Sequence, residues 1–254
     1  MAVSVLRKES LAGAGETAST RTGFWGYFCL AFFIAALVSL FRAYLHYTAH
    51  GNTFAALPYP DEKTYYISGA QLFVNQGWEY FLNPRSLWNG PLNILWVALF
   101  GSQVVFIKAA NLSLICFTHL MVWDIARRLF GMKAAFFALI LQALYMPYNR
   151  FGPTILTEPL FTFLLLCSCY LFFLATPKRK TLCFAAGILL GLAALTRPTV
   201  QYFPFFLVFV ALACLVFPFL KKQKIFSRKD LAGLTLFVCG ALICILPWVC
   251  LLYT

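Results

Sequence analysis

The sequence predicts an all-α membrane protein of about seven transmembrane helices, with an outer first loop that carries juxtamembrane helices. Three observations predict it. Hydrophobic residues make up 62% of the 254 and charged residues only 11%, whereas soluble domains carry about a quarter charged residues. The apolar residues fall into runs near the ~20 residues that a helix needs to cross a bilayer. The basic residues, finally, are divided unevenly between alternate connections, as cytoplasmic and outer loops divide them.

Residues 1–23 form a polar tail with Arg7, Lys8 and Arg21. The apolar run that follows, 24–47, is too long for a signal-peptide core and lacks a small-residue cleavage site, so it reads as an uncleaved anchor and the first span. Residues 48–103 read as an exocytoplasmic loop. It holds the doublet Asp61-Glu62, an amphipathic helix over 64–75 with Tyr66, Ala70 and Phe73 on one stripe, and the turn signals Pro84 and Gly90-Pro91. The run LNILWVALFG near its end has about ten apolar residues, which suits an interfacial or re-entrant helix rather than a span. Further spans are expected at 104–125, 134–148, 159–175, 182–195, 200–220 and 231–253, all within one membrane module, 24–254.

Charge tests that count. With the N-terminus inside, fourteen of the twenty basic residues fall on inner connections, among them Arg127, Arg128, Lys133, Arg179 and Lys180. Arg42, Lys63, Arg85, Lys108, Arg150 and Arg197 fall on the outer side. The split predicts a multi-pass protein with its N-terminus cytoplasmic and its C-terminus outside. A crossing by LNILWVALFG would move Arg127, Arg128 and Lys133 outside. The net charge of +12 thus reports orientation, and no nucleic-acid partner is expected. The nine cysteines lie in apolar segments without a CxxC or His-Cys cluster and read as small buried hydrophobes. The sequon at Asn111 lies inside a predicted span and is not expected to carry a glycan.

Acids are scarce, and the topology sorts them. Glu9, Glu16, Asp124 and Asp230 fall inside among cations, as solvated surface charge, while Asp61, Glu62, Glu79 and Glu158 fall outside. Glu158 sits in RFGPTILTEP between two apolar spans, where an ionised carboxylate is costly unless it is paired or lines a wet cavity. It also suits a helix N-terminus, with Pro159 after it and the helix dipole favouring the anion. Arg197, in LAALTRPT, is its cationic counterpart, either snorkelling to the interface or joining Arg150 to meet a lipid phosphate with forked donors. Arg85, Arg150 and Arg197 are the candidate phosphate-binding cations, and Tyr65, Tyr66 and Trp78 the candidate lining of a substrate groove.

Three stretches, PDEKTYY with the helix after it, DIARRLFG followed by a span and LTEP, and GILLGLAALTRP, together resemble the polytopic glycosyltransferases of the GT-C class. The kin in question are dolichyl-phosphate-mannose protein mannosyltransferases and bacterial lipid A aminoarabinose transferases. The similarity runs from about residue 23 onward. It implies a seven-helix module in a bacterial inner membrane, whose donor is a sugar on a polyprenyl phosphate. A hydroxyl acceptor, on a lipid, glycan or protein, attacks the anomeric carbon with inversion at the outer face. The resemblance makes Asp61 the general base with Glu62 in support, Glu158 the second acidic position and Arg197 the basic residue after the fifth span. No cofactor is certain, and a divalent metal at Asp61 and Glu62 stays open as an alternative. Where the resemblance implies further helices, an outer domain and a basic residue after the Pro-Trp pair, this sequence reads LPWVCLLYT. The expectation is therefore work beside a partner, a second copy or a separate protein. Two rival readings are a non-catalytic scaffold or lipid-binding subunit of a transferase, and a polyprenyl-lipid transporter.

Overall fold

A computed structural model describes residues 18–50, 53, 55–83, 90–175, 179–216 and 228–253. Among these residues the chain is helical, with no strand. The helices are α1 Ala18–Ala49, α2 Ser68–Gln76, α3 Pro91–Leu99, α4 Val104–Phe130, α5 Met132–Leu144, α6 Met146–Arg150, α7 Thr157–Leu174, α8 Thr181–Thr196, α9 Phe203–Val216 and α10 Arg228–Tyr253. Each expected span overlaps a helix, although α5 stops short of the one over 134–148 and residues 217–220 of the one over 200–220 lie outside the described residues. Four stretches, Phe24–Ala49, Val104–Phe130, Thr157–Leu174 and Ala232–Leu251, are long and apolar enough to cross a membrane. Met132–Leu144, Thr181–Thr196 and Pro198–Phe209 are apolar but shorter. At 1.5 Å per residue, sixteen residues reach about 24 Å, less than the ~30 Å hydrocarbon core.

The helix expected over 64–75 begins earlier, and its first turns explain why. Residues 60 and 61 are already helical, and Glu62–Ile67 continue as a wider π-helical turn into α2. Pro60 supplies a preset φ and lacks the N–H that a first helical turn leaves unpaired. Glu62, three residues after Tyr59, reaches back so that Tyr59 N–H donates to its Oε2 at 2.9 Å. This is the acidic half of a capping box, and the two carboxylates of the first turn suit the positive end of the helix dipole.

The juxtamembrane elements are anchored by one apolar cluster. Ile67 and Ala70, Tyr80 and Phe81 of the 3₁₀ turn Gly77–Leu82, Ile94 and Val97 of α3, Ile107 of α4 and Ile155 pack together. Helix α3 spans nine residues, about 14 Å of rise, too short to cross, and its buried face meets this cluster. That agrees with the interfacial reading of LNILWVALFG.

Two expectations are corrected. The span expected over 134–148 ends at Leu144, because Asn149 Nδ2 donates to the carbonyls of Gln142, Ala143 and Tyr145 at 2.8–3.0 Å and so closes the helix end. The short α6, with proline in its first turn, starts afresh. Among the described residues the cysteines are free, but just two of them, Cys116 and Cys183, are buried, while Cys29, Cys169, Cys239 and Cys250 face outward. Outward positions on spanning helices meet lipid, so a small apolar side chain needs no protein core there.

The tightest helix pair is α8 with α10. A Cβ at Gly187 would stand 2.0 Å from the Phe237 carbonyl oxygen, and one at Gly191 2.7 Å from that of Ala241. Small residues let these backbones touch, as helices in lipid require. Because α8 ends at Thr196, this pair fixes where Arg197 emerges.

Candidate active site

One end of the bundle holds a half-polar cavity of about 340 Å³, lined by Tyr59, Asp61, Tyr66, Thr157, Glu158 and Arg197 among others. Three parts of the chain meet there: the turn that opens the first juxtamembrane helix, the start of α7, and the segment after α8. Gly90 closes the wall. A Cβ on it would stand 2.2 Å from the Thr196 carbonyl oxygen, so only glycine lets the chain lie against the end of α8.

Asp61 and Glu62 are neighbours with opposite environments. Asp61 is exposed, and among the described residues nothing is hydrogen-bonded to its carboxylate. Glu62 is fully buried and both oxygens are used: Oε2 by Tyr59 N–H, and Oε1 by Ile155 N–H at 2.7 Å. Glu62 thus ties the Asp61 turn to the loop that leads into α7.

Glu158 combines both readings made of it. It stands in the first turn of α7, between Thr157 and Pro159, and its Oε1 accepts from Arg197 Nη1 at 3.0 Å. The second oxygen receives a long contact from Thr157 Oγ1 at 3.5 Å. Arg197 is extended (φ −148°) between α8 and the turn begun by Pro198, and its remaining N–H groups have no partner among the described residues. A guanidinium carries five donors, so one arginine oriented by one carboxylate keeps capacity for an anion.

Tyr66 completes the wall. Burial first, then the Glu158 and Asp61 carboxylates, push its phenol above the ordinary value, with the Thr157 hydroxyl and Arg197 acting in the opposite sense. It therefore stays protonated near neutrality and keeps an O–H to donate.

The other sequence candidates fall elsewhere. Arg150 ends α6, is exposed and does not line the cavity, although the adjacent Phe151 does. Arg85 lies outside the described residues, and so does the side chain of Tyr65. Trp78 is exposed in a second, apolar cavity of about 370 Å³ with Phe81, Leu95, Pro247 and Trp248, away from Asp61. Among the described residues no three metal-ligating side chains come together, and Glu62 already spends both oxygens on backbone donors.

Sequence reasoning missed the supports behind this wall. Asn111 is 2% exposed. Its Oδ1 accepts from Trp96 Nε1 at 3.0 Å, and its Nδ2 donates to the Thr154 carbonyl at 2.7 Å, so α3 and the 151–156 loop are both held to α4. Lys108, fully buried, donates to the Ala56 carbonyl and lies 2.8 Å from His46 Nε2. The available signal was a lysine and an asparagine one turn apart at the head of an apolar helix.

Residues 92–250 match the profile of the family described as dolichyl-phosphate-mannose-protein mannosyltransferase. Together with a bundle of apolar helices, that match defines a membrane glycosyltransferase of the GT-C type. The matched segment is more than half of the chain, and the protein belongs to the dolichyl-phosphate-mannose-protein mannosyltransferase family. It includes Glu158 and Arg197 and begins after Asp61 and Glu62. No curated protein and no solved structure gives a significant match.

Proposed function

We propose that the protein transfers a sugar from a polyprenyl-phosphate donor to an acceptor hydroxyl on the outer face of the membrane, with inversion and with Asp61 as the general base. The observation that carries the reading is the single cavity that joins an open carboxylate, Asp61, to a carboxylate-oriented guanidinium, Arg197. A transferase of this kind needs those two groups on opposite sides of the reacting carbon. Asp61 takes the proton of the acceptor hydroxyl as its oxygen attacks the anomeric carbon. The bond from that carbon to the phosphate oxygen breaks, and Arg197, held by Glu158, receives the phosphate charge that develops. Tyr66 donates its O–H to the sugar or to the phosphate. Glu62 supports Asp61 by fixing the turn that carries it.

In this reading the module 24–254 has a cytoplasmic tail, 1–23, and an outer loop, 48–103, that carries the base. The N-terminus is inside and the C-terminus outside. Acceptor recognition involves a second copy or a separate protein, because a base acts only on an oriented hydroxyl, and orientation is worth several kcal/mol of a barrier. The test is transfer in liposomes from radiolabelled polyprenyl-phosphate mannose and related donors to a pool of envelope lipids and glycans, with the anomeric configuration of the product read by NMR. Transfer with inversion is expected. Retention of configuration, or lipid movement between leaflets with no glycosidic product, contradicts the reading.

A further inference from the structure

The buried ammonium of Lys108 belongs to no lipid-facing or solvent-facing role. It is fully buried near the start of α4, where an ionised side chain is expensive unless it is paired and hydrogen-bonded. Its partners include the backbone carbonyl of Ala56, on the segment just before the Asp61 turn, and the ring of His46 in the last turn of α1. His46 in turn lies against His50, with ring centroids 4.5 Å apart and planes tilted by 36°, and its own carbonyl accepts from His50 Nδ1 at 2.9 Å. The fully buried Glu62 is the carboxylate that acts on Lys108 through space. The segment 56–62 is therefore held at both ends by buried charge. Lys108 grips the Ala56 carbonyl from α4, and Glu62 grips Tyr59 N–H and, across the gap, Ile155 N–H. Asp61 sits beside the second grip, with its own carboxylate left open.

We propose that Lys108 is a positioning residue for Asp61: its ammonium fixes segment 56–62 against α1 and α4, and contacts neither donor nor acceptor. The inference rests on the reading of Asp61 as the base, but its structural half stands without it. Lys108 does not line the cavity, so it acts on the reaction only through the backbone it holds. A base displaced by about 1 Å loses on the order of 10²-fold in rate.

The test compares full-length wild type, Lys108→Met and Lys108→Arg in one detergent. Amide hydrogen exchange of the peptides spanning 56–62 and 153–156 is read together with kcat and donor KM. Lys108→Met removes the charge and the donors while keeping the length. The expected result is at least tenfold faster exchange in both peptides with the α8 and α10 amides unchanged, about 10²-fold lower kcat, and donor KM within threefold. Lys108→Arg keeps charge and donors and is expected to restore protection of the loop and most of kcat. Unchanged loop exchange and turnover in Lys108→Met overturns the proposal, and so does a raised donor KM at unchanged kcat, which would make the ammonium a substrate contact. If Lys108→Met does not fold, Lys108→Arg decides: a protected loop with turnover near wild type supports the proposal, and a protected loop without turnover overturns it. Should wild type show no transfer at all, the exchange result alone tests the grip, and only the reading of Asp61 has failed.

Discussion

The two ends of the bundle treat a carboxylate in opposite ways. At the end where α4 finishes, Asp124 is saturated: Arg127 reaches it at 2.7 Å, Arg128 at 2.6 Å and the Tyr170 hydroxyl at 2.7 Å. Arg127 also lies over the Phe24 ring, 4.8 Å from its centroid, so one acid binds α4 to α7 and, through its arginine, to α1. At the other end Glu62 has one backbone donor on each oxygen, yet the adjacent Asp61 is left open to a cavity that also holds Glu158 and Arg197. Carboxylates with both oxygens engaged hold structure together. Asp61 is left open where its neighbours are paired, which is what the role proposed for it as a base requires.

The comparison breaks first at Glu62. Glu62→Ala strands two backbone N–H groups, at least one of them in a buried loop, and each bond to a charged acceptor is worth about 1.5–3 kcal/mol. Stability is expected to fall by about 3–5 kcal/mol in denaturant titration, with transfer abolished. A variant as stable as wild type would show that Glu62 is not the clamp described. Next in size is Gly187→Ala, which forces α8 away from α10 and is expected to cost about 1–3 kcal/mol and to lower activity by moving Arg197. An active variant of wild-type stability would separate that helix contact from the site.

Smaller effects sharpen the contrast. Asp124→Asn is expected to lower stability by about 1 kcal/mol or less, since its arginine partners are partly exposed, with turnover within twofold. A large loss of kcat would give the two ends the same role. Arg197→Ala removes an ion pair whose partners are 42% and 26% exposed, so a stability change below about 0.5 kcal/mol is expected, while donor KM rises tenfold or more. The least effect is that of pH on Tyr66. Its folded pKa is raised, so its contribution to stability is fully present below the unfolded value near 10 and is lost as pH climbs through the folded value. Stability profiles of wild type and Tyr66→Phe should run parallel from pH 6 to 9 and diverge only above 10. Divergence below pH 9 would place Tyr66 in a different environment.

That Asp61, Glu158 and Arg197 stand out was legible because ionised residues are rare in so apolar a chain and each stands where a hydrophobic run is interrupted; the structure adds that they line one cavity. Lys108 was not legible. It reaches a backbone carbonyl 52 residues away and a histidine ring 62 away, and no side-chain pattern marks a carbonyl as an acceptor. Glu62 was half legible: its bond to Tyr59 follows from a three-residue spacing, whereas its bond to Ile155 crosses 93 residues. Arg150 and Trp78 show the opposite failure. Both sit at suitable sequence positions, but the helix end capped by Asn149 leaves Arg150 outside the cavity lining, and the 3₁₀ turn carries Trp78 to the apolar cavity instead.

The most direct test of the central claim is Asp61→Asn, measured as kcat for sugar transfer beside equilibrium binding of the polyprenyl-phosphate sugar. The amide keeps the shape of the side chain and loses the base, so kcat is expected to fall by about 10² to 10⁴, with donor affinity within a few-fold of wild type. Wild-type turnover in Asp61→Asn would contradict the account.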